Sequence, residues 1–207
     1  MHIGVMIFDT DYSMPVNELA IALEERSFES LFVPEHTHIP ASRESAWPGG
    51  ANLPKDYWHT FDPFVSLSFA AAATKNLKVG TGICLLPQRD TIVAAKLVAS
   101  LDRMSEGRFL FGIGGGWNKE EMGHHGVAYT ERFARMEEQV AAMKGLWQEE
   151  EFGYQGDYVK FTPSWAHPKP VQTPHPPILL GGETDYTLRR VVNYCDGWLP
   201  RARHGFD

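Results

Sequence analysis

Residues 3–11 read Ile3-Gly4-Val5-Met6-Ile7-Phe8-Asp9-Thr10-Asp11. The run is apolar up to Phe8, as in a buried strand, and polar residues follow it without any glycine. A dinucleotide-binding fold needs a glycine-rich turn directly after its first strand, where the backbone approaches the pyrophosphate. The segment therefore disfavours that fold and leaves the barrel as the leading parallel α/β architecture.

Beyond this segment, short β-branched runs alternate with amphipathic stretches of helical spacing. Nearly continuous apolar strands separated by helices are typical of a parallel sheet covered by helices. Acidic N-caps at Asp62, followed by Pro63, and at Asp90 predict where two of the helices begin. The predicted strands are Ile3–Phe8, Ser30–Pro34, Lys78–Leu86, Phe109–Gly114, Ile178–Gly181 and Gly197–Leu199.

These strands predict an α/β fold of the (βα)8 TIM-barrel type, in a single domain covering residues 1–207. A complete barrel has eight strands and about 250 residues. We therefore expect a barrel truncated after about six strands, with strands seven and eight missing beyond Asp207. The open sheet edges left by such a truncation favour association with other chains, so we expect a homodimer.

Composition narrows the class of partner. The chain has 207 residues, of which 43% are hydrophobic and 22% charged, and its net charge is −7. An acidic surface argues against nucleic acid as a partner, and no apolar run reaches the length of a membrane span. The N-terminus lacks a signal-peptide pattern, and Cys84 and Cys195 have no CxxC spacing, so we expect a cytoplasmic protein with reduced thiols.

Two long segments interrupt the alternation, at Thr37–Phe61 and Glu149–Pro176. We expect both to be loops, since connections of this length are typical of functional lids or binding loops. The first follows strand two and so belongs to the catalytic face of a barrel. The second follows a helix, which places it at the opposite face or at a partner contact.

Three strand ends are rich in glycine, at residues 80–87, 112–117 and 181–183. Glycine allows the backbone to approach a ligand closely, and the free N–H groups at a following helix suit a phosphate. Each segment alone equally fits an ordinary turn. All three would open on the same face of one barrel, so together they favour a ligand-binding edge.

Strand two ends in Glu35-His36-Thr37-His38. A carboxylate beside a histidine at a strand end is suited to positioning or protonating a ligand, although solvated loop residues would have the same sequence. The His-x-His spacing also suits a metal, but strands four and five offer no further ligands, and His124-His125 fits solvated surface. We therefore expect no metal. The sequence also has no lysine at a strand end, no G-x-S-x-G motif and no P-loop.

The order of several motifs is similar to that of the bacterial luciferase-like monooxygenase superfamily, over essentially the whole chain. Within it, the chain most resembles the bacterial deazaflavin (coenzyme F-420)-dependent oxidoreductases. The segments that carry the resemblance are Phe28–His36, Gly80–Arg89, Ala95–Asp102, Ser105–Arg108, Gly112–Trp117, Pro168–Gln172, Pro176–Gly182 and Asp196–Pro200.

This resemblance implies a cofactor ring at the carboxyl ends of the strands and a small organic substrate. It implies a cis peptide between Gly82 and Ile83, in a bulge that backs the ring, and a role for His36 beside the ring. Glu35 replaces the Asp more usual in this family. The residues implied are His36 and Glu35 as catalytic, and Gly82, Ile83, Cys84, Gly114, Gly115, Gly181 and Gly182 as cofactor-binding.

Trp117 stands where some sugar-phosphate dehydrogenases of the superfamily have a catalytic Glu, so that substrate class is not implied. The leading prediction is hydride transfer between F-420 and a small molecule. One alternative is an FMN-dependent monooxygenase that uses FMNH2 and O2. Another is a non-catalytic or degenerate cofactor-binding fragment.

Overall fold

The structure of the chain is a computed structural model that describes residues 2–201. The expected chain end at Asp207 lies outside these residues. Helices and strands alternate along most of the described chain. They are β1 Gly4–Met6, α1 Val16–Glu25, β2 Ser30–Val33, α2 Asp56–His59, α3 Pro63–Ala73, β3 Lys78–Thr81, α4 Thr91–Met104, β4 Phe109–Ile113, α5 Lys119–His124, α6 Arg132–Gln148, β5 Phe152–Gln155, β6 Lys160–Ser164, β7 Ile178–Gly181, α7 Asp185–Tyr194 and β8 Gly197–Leu199.

Six of these strands form one parallel sheet in the order β1-β2-β3-β4-β7-β8. These six strands lie side by side in the order in which they occur along the chain, as in a barrel. Because all of them are parallel, their carboxyl ends lie at the same edge of the sheet. The middle strands of the sheet lie in the core: Leu31, Val79 and Phe111 are at most 1% exposed. The predicted parallel sheet in barrel order is confirmed.

The two N-cap residues predicted from the sequence are found at the starts of α3 and α4. Asp62 accepts hydrogen bonds from the N–H groups of Phe64 and Val65 at 2.9 and 3.1 Å, and Asp90 accepts one from Val93 at 2.8 Å. Each carboxylate satisfies amides that have no partner within the helix. Both helices therefore begin just beyond the edge that carries the strand ends.

The segment Glu149–Pro176 is not the loop that its proline content suggested. It contains the antiparallel hairpin β5–β6, which pairs Tyr154 with Phe161. The turn between the strands is held by Glu138 of α6, whose carboxylate accepts the N–H groups of Asp157, Tyr158 and Val159 at 2.8–3.0 Å. A long-range carboxylate thus supplies the turn contacts that local sequence does not predict.

The predicted third strand, Lys78–Leu86, is also shorter than expected. Ladder pairing stops at Thr81, and the peptide bond between Gly82 and Ile83 is cis, as the family resemblance implied. Cys84 then pairs again with β4: its N–H donates to Gly112 O at 2.8 Å, and its carbonyl accepts from Gly114 N–H at 3.0 Å. A bulge at Gly82-Ile83 therefore lies between two paired stretches.

Candidate functional site

His36 lies just beyond the carboxyl end of β2 and is 8% exposed. Its Nδ1 is 2.8 Å from Oε2 of Glu121, a residue of α5 whose side chain is fully buried. The other carboxylate oxygen of Glu121 accepts the N–H of Thr37 at 3.2 Å. Glu121 thus binds both the ring and the adjacent backbone, which fixes the imidazole and directs Nδ1 toward the carboxylate.

Glu121 is the main site residue that sequence reasoning missed. Asn118 caps α5 by accepting the N–H of Glu121 at 3.0 Å. The pattern of Asn followed three residues later by Glu is that of a capping box, and it could have predicted the helix start. In the usual box the Glu turns back to the cap, whereas here it reaches a histidine 85 positions away in sequence.

Aromatic rings surround the His36 imidazole. Tyr57 of α2 lies 5.2 Å from it and Trp117 5.8 Å, measured between ring centroids, and the indole is edge-on. Phe8 and Trp47 pack in turn against Tyr57, with ring centroids 4.6 and 5.7 Å from its own. The segment 37–61, expected to be a functional lid or binding loop, therefore contributes Tyr57, which lies beside the imidazole, and Trp47, which packs on Tyr57.

Glu35 points away from His36 and is 3% exposed. One oxygen accepts the N–H of Leu85 at 2.7 Å, and the other accepts Nε of Arg89 at 2.7 Å. Burial lowers the pKa of Arg89, but Glu35, together with the neighbouring Cys84 and Asp62, outweighs that effect, and the pKa lies above its usual value. Glu35 and Arg89 thus form a buried ion pair that holds the chain after the bulge, and the catalytic role of Glu35 stays a prediction.

The three glycine-rich strand ends meet at one side chain, Ile83. A Cβ at Gly114 would overlap the Ile83 side chain, and one at Gly181 would lie 2.9 Å from Ile83 Cγ2. Two bare glycines on β4 and β7 therefore make room for the residue of the bulge on β3. The predicted convergence of these strand ends is confirmed, whereas binding of a cofactor there stays a prediction.

Gly115, Gly182 and Cys84 occupy different places around this cluster. A Cβ at Gly115 would lie 2.8 Å from the ring of Phe133, and Gly182 has a φ of +123° where the chain turns into α7. Thr184 caps that helix through the N–H of Thr187 at 3.2 Å. Cys84 is fully buried, and burial first and then the charge of Glu35 raise the pKa of its thiol. The backbone of Cys84 pairs with β4, and its thiol is enclosed by the core.

A cavity of about 520 Å³ opens beside Trp117. The segment 37–61 is tied to its rim, because Ser45 donates its backbone N–H to Glu120 Oε1 at 2.6 Å. The volume of the cavity is in the range of small-molecule sites. Trp117 lines the cavity and also contacts the ring of His36. The lining residues are Glu44, Ser45, Ala46, Pro48, Trp117, Lys119, Glu120 and Tyr129.

The paired histidines have neighbours that sequence reasoning did not assign. His124 and His125 are exposed; His124 Nδ1 lies 2.8 Å from His38 Nε2, and His125 Nε2 lies 2.8 Å from Thr37 Oγ1. Within residues 2–201, no group of three or more His, Cys, Asp or Glu side chains is placed to hold a metal ion. In the same part of the chain, no helix combines the length and apolar character that crossing a membrane requires.

Comparison with known proteins identifies the family. The model of the luciferase-like monooxygenase family matches residues 11–205, so the chain belongs to this family of oxidoreductases and monooxygenases. The six parallel strands accordingly correspond to strands of a luciferase-like barrel.

Two relatives and one solved structure illustrate the similarity. An uncharacterized protein of Mycobacterium tuberculosis is 42% identical over 98% of this chain and 73% of its own length. An FMNH(2)-dependent dimethylsulfone monooxygenase of Pseudomonas putida is 37% identical over 65% of this chain and 38% of its own. An F420-dependent secondary alcohol dehydrogenase, solved with an F420-acetone adduct, superposes with a TM-score of 0.77 at 22% identity. That match covers 96% of this chain but only 57% of the dehydrogenase chain, so the present chain spans little more than half of that protein.

Proposed function

We propose that the chain forms the cofactor-binding part of an oxidoreductase that transfers a hydride between coenzyme F-420 and a small organic substrate. The observation that carries this proposal is the buried His36–Glu121 pair at the strand-end edge, next to the bulge at Gly82-Ile83. The fold of the F420-dependent dehydrogenase supports it, since the same architecture serves that chemistry there.

The residues present fit a flat ring with an anionic tail. Gly114 and Gly181 accommodate Ile83 of the bulge, which would back the ring, and the turn at Gly182 leads into the N-terminus of α7. Free N–H groups at a helix start favour a phosphate. When bound, the deazaflavin would supply the hydride chemistry, while the protein supplies position and electrostatics.

The role of His36 follows from its contacts. Glu121 Oε2 accepts a hydrogen bond from Nδ1–H of His36. A neutral His36 therefore keeps its proton on Nδ1, and Nε2 carries the free lone pair. When a hydride leaves the carbon of an alcohol, the O–H proton must leave as well. We propose that His36 Nε2 accepts that proton, and that Tyr57 and Trp117 keep water away from it.

The binding experiment titrates the protein separately with F-420 and with FMN, following the absorbance and fluorescence of each cofactor. The proposal expects saturable binding of F-420. Turnover would then be measured with small alcohols in wild type and in His36→Ala. We expect the substitution to reduce turnover about 100-fold or more, as for loss of a general base, with little change in F-420 affinity. Loss of affinity alone, with unchanged turnover per bound cofactor, would contradict the role of His36.

A second candidate is a monooxygenase that uses FMNH2 and O2. The dimethylsulfone monooxygenase, at 37% identity, favours it. Repeating the FMN titration with reduced FMN under anaerobic conditions separates the two, because tight binding of reduced FMN without binding of F-420 would favour the monooxygenase. Product analysis under O2 would then decide the reaction.

A further inference from the structure

One serine joins the segment 37–61 to the start of α5. The backbone N–H of Ser45 donates to Glu120 Oε1 at 2.6 Å, and its hydroxyl donates to Glu120 Oε2. The hydroxyl oxygen also accepts the N–H of Lys119 at 3.0 Å, an amide of the first turn of α5 that has no acceptor within the helix. Ser45 thus makes three hydrogen bonds to two adjacent residues of α5, and we call these contacts the Ser45 latch.

The Ser45 latch holds a stretch of chain that lies entirely near the surface. Among residues 41–54, all of which the structure describes, none is buried. Segments with few buried apolar contacts open at a low cost in free energy. Hydrogen bonds from the Ser45 hydroxyl first, and then from backbone N–H groups, lower the pKa of Glu120, although burial opposes them. Glu120 is therefore ionised at neutral pH and accepts both Ser45 hydrogen bonds there.

The cavity beside Trp117 lies where the Ser45 latch joins the segment to α5. Its lining combines residues within 44–48 of the segment with residues 119–120 of α5. The cavity therefore keeps its shape only while the latch is closed. The next residue of α5, Glu121, binds His36, whose ring also contacts Trp117. Adjacent residues of one short helix thus fix the cavity and the histidine.

The lining of the cavity indicates which chemical group it would bind. The carboxylates of Glu44 and Glu120 outnumber the single ammonium group, that of Lys119, and the remaining negative charge disfavours an anion. The rings of Trp117 and Tyr129 supply apolar surface on which a ring or an alkyl chain can pack. The cavity is therefore suited to an uncharged aryl or alkyl substituent.

We propose that this cavity binds the non-reacting, uncharged substituent of the substrate, and that Glu120 is a positioning residue that keeps the cavity closed through Ser45. The inference rests on the proposed function, because a hydroxyl held at His36 places the rest of the substrate next to Trp117. An alcohol as small as 2-propanol would occupy only the place beside His36, whereas 1-phenylethanol would extend into the cavity. The Ser45 latch thus governs affinity for larger substrates, while proton transfer at His36 is independent of it.

The first measurement follows the Ser45 latch without substrate, as hydrogen exchange of residues 41–54 by mass spectrometry. We expect Ser45→Ala and Glu120→Gln each to speed up this exchange about tenfold, as for loss of one hydrogen bond. The double variant should fall well short of the product of the two effects, because both substitutions remove the same contact. Ser42→Ala, at an exposed position of the same stretch, is the matched control, and Ser45→Thr keeps the hydroxyl and should restore slow exchange. Unchanged exchange, or independent effects that multiply, would overturn the latch.

The second measurement compares steady-state oxidation of 2-propanol and 1-phenylethanol with F-420. In Ser45→Ala and Glu120→Gln, KM for 1-phenylethanol should rise about tenfold while kcat stays within about twofold of wild type, as for loss of uniform binding. The kinetics with 2-propanol should be those of wild type. Equal effects on both alcohols would overturn the assignment of the cavity and leave the proposed function intact. Failure of wild type to bind F-420 and to oxidise either alcohol would overturn the proposed function and the assignment together, whereas the exchange measurement tests the latch independently.

Discussion

At the scale of single residues, the contact between His36 and Glu121 decides which ring nitrogen is available. We expect Glu121→Gln to lower kcat about 10- to 100-fold, as for other partners that orient a functional histidine, with cofactor affinity near that of wild type. The reason is that an amide at this position no longer selects the Nδ1–H tautomer.

The readout that separates positioning from stability is the ¹⁵N NMR spectrum of the imidazole. Wild type should show a protonated Nδ1 in the neutral ring, and Glu121→Gln a mixture of tautomers. The exposed Glu18→Gln serves as a control. An unchanged tautomer together with reduced stability would mean that Glu121 acts only as a structural residue.

Ile83 and its glycine neighbours permit a second prediction at this scale. A Cβ at Gly114 would overlap the Ile83 side chain, so Gly114→Ala should destabilise the protein by about 1–3 kcal/mol. Adding Ile83→Val removes a methyl group from the contact and should recover part of the loss. Chemical denaturation of the single and double variants measures both effects.

Gly123 offers the matched control for this substitution. It lies within α5, and a Cβ there would meet no atom within 4 Å. Gly123→Ala should therefore be neutral or stabilise by up to about 1 kcal/mol, as expected for Ala in a helix. If Gly114→Ala were equally harmless, the glycine would not be required by Ile83.

At the scale of elements, the β5–β6 hairpin depends on one carboxylate. Burial raises the pKa of Glu138, but three backbone N–H groups, from Tyr158, Asp157 and Val159, outweigh it and lower the pKa. A carboxylate with a lowered folded-state pKa stabilises above its unfolded value of about 4.3, and this stabilisation is lost as the pH falls through the folded-state value.

Glu138→Gln should weaken the hairpin turn at neutral pH, because it removes the ionised carboxylate on which the turn depends. Its NH2 group would face amides that need an acceptor, so hydrogen exchange at residues 157–159 should speed up about tenfold. Glu137→Gln, at an exposed neighbouring position, should leave that exchange unchanged. Faster exchange throughout the molecule, rather than in the hairpin turn, would contradict a local role for Glu138.

The same elements show what the sequence predicts and what it does not. The caps at Asp62 and Asp90 were predictable, because a capping side chain bonds to amides two or three residues away. Asp102 and Gln172, both within the family motifs, turn out to bond to each other at 2.6 Å on the face away from the strand ends. Their pairing, like that of His36 with Glu121, joins distant parts of the chain and leaves no local pattern. The hairpin was missed for the same reason, since Glu138 lies on another element.

At the scale of the whole molecule, the two thiols should report global unfolding. Cys84 is fully buried with a raised pKa, and partial burial raises the pKa of the half-buried Cys195 to about 12. The thiolate is the reactive form, so iodoacetamide at pH 8 should label neither residue of the folded protein at an appreciable rate.

Mass spectrometry after brief labelling across a urea gradient would measure this. Both thiols should become reactive together, at the midpoint seen by circular dichroism. Cys195→Ser isolates the signal of Cys84. Rapid labelling of Cys84 without denaturant would show that the region behind the bulge opens independently of the rest.

The order of strands in the sheet also bears on the sequence of events during folding. From β1 to β4, each strand pairs with the strand that precedes it along the chain. Each βα unit can therefore add to a growing edge as it emerges from the ribosome. Between Ile113 and Ile178 the chain instead passes through two helices and the hairpin before β7 reaches β4. Closing that connection has the largest entropic cost in the sheet, and folding slows as contacts become less local. Docking of β7 should therefore be the late step, and amides of β7 and β8 should gain protection after those of β2 and β3 in pulse-labelling experiments.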